Sequence, residues 1–161
     1  MPFSQKSPGK QFAAVEELLT HWLRERRELL TCYTGIVVVT DMTLEGPDLA
    51  KRQKDLCVLL VDYVSAGHFE VFHQLIAEAE VFADGTEKIA GNLMPAIADT
   101  TEVILAYEEK YNSGTSDPDT LERDLSVLGE VLESRFVLED QLIAGLHNSH
   151  RIQAASESLP A

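Results

Sequence analysis

Apolar residues recur along most of this chain at steps of three and four, the spacing of one face of a helix. Over residues 12–37 the marked positions are Val15, Leu19, Trp22, Leu29, Leu30, Tyr33 and Val37, with the charges of "LRERRELL" between them. The β-branched run "GIVVVT" is the one strand-like signal, and it also reads as the end of that helix. Gly46-Pro47 punctuates the chain, with Pro47 suited to a helix start. A second long helix follows over 48–82, and "ADGT" is turn chemistry. Ile89, Leu93, Ile97, Ile104, Tyr107 and Tyr111 mark a third helix over 87–111, which Pro95 must kink or begin. A loop at 112–119 leads to a last helix over 120–150. Four long helices with short connections predict an all-α, antiparallel up-down four-helix bundle, a single domain over 12–150. The ends, 1–11 and 151–161, are expected to be flexible tails.

Polar residues interrupt this pattern at two places. On the last helix, Leu121, Leu125, Leu128, Leu132, Arg135, Glu139, Leu142 and Leu146 form one stripe. Arg135 and Glu139 thus stand where leucine is expected, four residues apart and able to pair. On the second helix, a uniform wheel puts His68 on the inward stripe with Val61, Val64, Phe72 and Leu75. His68 is therefore expected to join Arg135 and Glu139 in an internal polar network that sets helix register. Gly67 falls near Leu60 and Val71, where a neighbouring helix can approach closely. Asp62, Ala66, Phe69 and His73 form a separate stripe on the flank.

Charge changes the picture more than composition does. The net charge is −14, and it is uneven. Residues 1–54 hold 8 Lys/Arg against 7 Asp/Glu, whereas residues 55–161 hold 5 against 20. This balance argues against direct nucleic-acid binding, which needs clustered cations. It suits either solubility or docking on a basic surface. Cys32 and Cys57 lack a CxxC spacing and read as reduced core thiols. The first ten residues have no apolar signal core, and no apolar run approaches a membrane span, so a soluble, cytoplasmic protein is expected.

Catalytic signatures are missing from the sequence. It contains no Gly-rich phosphate loop, GxSxG, HExxH or CxxC pair. A di-iron bundle needs two Glu-x-x-His motifs, and Glu70 with His73 supplies one. "HNSHR" holds His147 and His150 near the chain end without an evident paired carboxylate. The sequence thus predicts no catalytic residue, no metal and no cofactor. A rival reading is a metal- or small-ligand-binding bundle using His68, Glu139 and Asp140.

Three segments carry a family resemblance. "LLVDYVSAGHFEVF" (59–72) and "LGEVLESRFVLEDQLI" (128–143) resemble the two signature segments of the Rsd/AlgQ family of anti-sigma factors. "HWLRERRELL" (21–30) resembles its first helix, and "LHNSHR" (146–151) is similar to the ending of the AlgQ-like branch. The resemblance implies an all-α bundle, not an enzyme, that binds the primary sigma factor of bacterial RNA polymerase. Contact is implied mainly with region 4, the DNA-reading module, and secondarily with region 2, shifting transcription toward alternative sigma factors. It also admits a second protein partner, such as an alarmone enzyme. On this reading Asp62 pairs with an arginine of sigma beside Phe69 and His73, and Trp22 and Arg26 complete the patch. The free protein is expected to be a monomer.

Overall fold

The structure, a computed structural model, describes residues 7–41, 47–113 and 118–158. Helix α1 spans Pro8–Asp41. It begins before its apolar stripe because capping, not periodicity, sets its start: the Lys10 amide donates to Ser7 Oγ at 3.3 Å, and proline suits the first turn. The β-branched run stays helical, with Ile36 fully buried. Helix α2 (Pro47–Ala66), a π-helical turn (Gly67–Val71) and helix α3 (Phe72–Phe82) form one continuous rod. That rod ends at Ala83, which takes the left-handed φ of 55°. The Asp84 carboxylate then accepts from the Thr86 amide and hydroxyl. Helix α4 (Glu87–Tyr111) runs through Pro95, which lies on its exposed side. Helix α5 spans Pro118–Leu146.

The result is an all-α, four-helix bundle. The α1 helix packs on α2 and α3, α2 on α4, and α4 on α5, while α3 and α1 also meet α5. Cross-helix pairs such as Trp22 with Tyr63, Cys57 with Glu108 and Lys110 with Asp124 fix neighbours as antiparallel. All eight stripe positions of α5 are buried, Arg135 and Glu139 included. By length and composition the helical rod Asp48–Phe82 could cross a membrane, but 44% of its most apolar window is buried in the bundle.

The carboxyl-terminal segment departs from expectation. After α5, a 3-10 turn at Asn148–His150 leads into helix α6, Arg151–Ser158. This helix packs on α1: Ala154 is buried, and Glu157 Oε2 accepts from the Gly9 amide at 2.8 Å. Arg151 reaches Glu16 on α1. One buried alanine makes no apolar stripe, so spacing gave no sign that this segment docks. At the other end, Pro8–Gln11 is likewise helical instead of belonging to a flexible tail, and Gln11 is buried.

Candidate docking face and its buried support

His68 does not join the interior. Regular helix phase would carry it inward between Val64 and Phe72, but the π turn at Gly67–Val71 holds an additional residue and resets that phase. The inward positions become Tyr63, Val64, Gly67, Val71 and Phe72, and His68, Phe69 and Glu70 all point to solvent. Gly67 makes this possible: a Cβ there would lie 3.0 Å from Trp22 Cζ2 and 3.3 Å from Phe72 Cζ. Trp22 therefore fills the space beside the glycine. Trp22, assigned to the surface patch on the condition that its ring edge is exposed, is only 2% exposed. Sealing the π turn takes the whole indole.

The everted turn builds a distinctive surface. Phe69 is 74% exposed, with the His68 ring edge-on to it at 4.8 Å. Asp62 lies two turns earlier and His73 one turn later, both exposed. Across on α1, partial burial holds the Glu25 carboxyl above its usual range, and Asp62, Glu28 and Glu70 push it further, against His21. Four carboxylates, two from α1 and two from the rod, thus share one field, and Glu70 among them adjoins exposed Phe69 in the chain. Beside Asp62, Val58 and Val61 line a groove toward Glu108 on α4, of about 500 Å³. Bringing like charges together costs free energy that a cationic partner would relieve.

Behind this face lies a polar network. Glu139 Oε2 accepts from Arg135 Nε at 2.9 Å, and its Oε1 accepts from Tyr63 at 2.5 Å and Arg26 Nη2 at 3.0 Å. Arg135 Nη1 reaches Thr100 and Thr101 on α4. Arg26 also donates to the Tyr63 hydroxyl and to Asp140, and its guanidinium lies over Phe136 at 4.7 Å. Two guanidiniums thus face two carboxylates. Burial holds the Glu139 carboxyl above its usual range, with Arg135, Tyr63 and Arg26 pulling against it. Arg26, expected in the surface patch, is mostly buried as the outer member of this network. Trp22 stacks on Tyr63 at 4.7 Å and donates to its carbonyl, linking the network to the π turn.

Several of these residues escape a reading by spacing. Tyr63 sits in the apolar stripe and gives no polar signal, while Glu25 and Glu28 read as an ordinary solvated face. The rival metal trio does not assemble, because His68 lies outside and Glu139 is already held by three donors. Among the described residues, no group of three or more potential ligands could hold a metal ion. His147 and His150 do have a carboxylate partner, Glu78, from a distant part of the chain.

A family model described as regulator of RNA polymerase sigma(70) subunit, Rsd/AlgQ, matches residues 3–147. The chain belongs to this family. Its relatives include proteins named regulator of sigma D. One from Yersinia pseudotuberculosis is 34% identical over 142 residues, covering 86% of this chain and 84% of the relative. One from Yersinia enterocolitica is 33% identical over 142 residues, covering 86% and 85%. One from Salmonella arizonae is 32% identical over 145 residues, covering 85% and 88%. No solved structure matches the chain. The Rsd/AlgQ match includes α1 to α5, so the π turn, the acidic face and the network all fall within it.

Proposed function

We propose that this Rsd/AlgQ-family protein is an anti-sigma factor that binds the primary sigma factor of bacterial RNA polymerase in the cytoplasm. Its main target is region 4, with a secondary contact to region 2. The observation that carries the reading is a cluster of carboxylates from α1 and the rod together with exposed Phe69, in a chain of a sigma(70)-regulator family. Region 4 is a basic, DNA-reading module, so an anionic face with an apolar centre offers both charge complementarity and an anchor. Occupying that module competes with promoter DNA and favours alternative sigma factors. Asp62 pairs with an arginine of sigma, Phe69 packs against its apolar surface, and His73 lies at the rim. Trp22 and Arg26 act from beneath, by holding the π turn and the network. Arg135 and Glu139 set helix register, and the free protein is a monomer.

Fluorescence anisotropy with labelled region 4 and the full chain tests this directly. Asp62→Ala and Phe69→Ala should each weaken binding about tenfold or more. Their thermal midpoints should stay close to that of the parent, since both side chains are exposed. Intact binding by both variants would overturn the assignment of this face.

A further inference from the structure

Away from the docking face, five elements converge on a buried cluster of histidines and carboxylates that the proposed function does not use. Glu78 on α3 is fully buried between two histidines that are also fully buried. His147 Nδ1 lies 2.5 Å from Glu78 Oε1, and His150 Nδ1 lies 2.7 Å from Glu78 Oε2. The outer nitrogens meet further carboxylates: His147 Nε2 faces Glu16 on α1 at 3.3 Å, and His150 Nε2 faces Asp84 at 3.0 Å. Thr86 Oγ1 lies 3.4 Å from the same nitrogen of His150. Phe12 stacks on His147 and Phe82 on His150, each at 4.1 Å, so water has little access to either ring. Arg151, the first residue of α6, pairs with Glu16.

The carboxylate partners of the two rings favour one protonation state. An ionised carboxylate only accepts, and every one of the four ring nitrogens faces a carboxylate oxygen. With all three carboxylates ionised, each nitrogen donates, and both rings are then imidazolium. Two imidazoliums and Arg151 then balance Glu16, Glu78 and Asp84. Removing one ring proton turns a nitrogen lone pair against a carboxylate oxygen and leaves the buried Glu78 with less positive charge beside it.

We propose that this cluster is a proton-loaded clasp: α6 stays docked on α1 only while His147 and His150 hold both ring protons, and losing one releases the carboxyl-terminal helix. The placement supports this. His147 has φ −126° and ψ −61°, outside the helical range, so the chain turns there from α5 toward α6. The two rings then hold that turn against α3, while Arg151 and Glu157 hold α6 itself on α1. The docked state retains protons that the released state gives up, so rising pH favours release. The inference stands apart from the docking reading, because its test uses the free protein.

The test is long-range proton–nitrogen NMR on the full chain with labelled histidine, combined with hydrogen exchange. Wherever α6 is protected, both rings should show the doubly protonated signature. Raising the pH until either ring loses a proton should lower protection factors across Arg151–Ser158 about tenfold or more in the same step. A neutral tautomer on either ring while α6 remains protected would overturn the clasp, and so would protection that persists through the ring deprotonation. Glu78→Gln should move the step to lower pH, and an unmoved step counts against the proposal. Should that variant not fold, the unsubstituted protein alone decides.

Discussion

At the residue scale, Glu139 shows how one side chain can organise a bundle. Its two oxygens accept from α1, α2 and α5 at once, while its partner Arg135 also reaches α4. Replacing it by leucine fills the volume but leaves Arg135 buried without its carboxylate, at a cost of about 3–5 kcal/mol. Urea denaturation of Glu139→Leu should show that loss, with the folded fraction keeping most of its affinity for sigma. A binding defect in a fully stable Glu139→Leu variant would place the residue in the interface instead. Cys57 gives a second expectation. Burial, aided by Glu108, pushes its thiol up to about 11. Iodoacetamide near neutral pH should leave Cys57 unmodified in the native protein and label it in denaturant, as read by peptide mass spectrometry.

At the scale of elements, the π turn is the feature on which the proposed docking face depends. Gly67→Ala would press a methyl group on Trp22, which is already held by its stack and hydrogen bond to Tyr63. Thermal denaturation should show a loss of about 1–3 kcal/mol, and the exposure of Phe69 should change with it. Helix α6 carries an acid-side expectation. The Arg151 hydrogen bond holds the Glu16 carboxyl below its usual range, against its partial burial and with help from His147. A carboxyl depressed in the folded state adds stability above its unfolded pKa, and that stability is lost as pH falls through the folded value. Below about pH 4, protection of α6 should therefore fall again. Exchange measured on the acid side reads this limb, and Glu16→Gln should remove it.

At the scale of the whole molecule, charge separates encounter from fold. A net charge of −14 does little to specify a helical bundle, but it steers a cationic partner toward the protein. Stopped-flow association with region 4 should slow about tenfold or more between low and roughly 0.3 M salt, while dissociation changes far less. Association indifferent to salt would mean that the apolar contact at Phe69 dominates the encounter. Nearly all the excess negative charge lies after residue 54, yet the proposed docking face draws Glu25 and Glu28 from α1. The face is acidic because two helices meet there, not because one segment is acidic.

The sequence by itself determined the helical class, the four long helices, and the stripe of α5 with Arg135 and Glu139 set among leucines. These are periodic properties of single helices, and neighbouring residues suffice to write them. It did not determine whether His68 or Gly67 faces inward, because Trp22, packed from another helix, stabilises a π turn that breaks the period. Nor did it show that His147 and His150 have a carboxylate between them, since Glu78 lies 69 and 72 residues away along the chain. Helix α6 was missed for the same reason: its hold on α1 comes from Arg151, Ala154 and Glu157 meeting a distant helix end. Spacing describes which residues share a face. Only tertiary packing decides what that face meets.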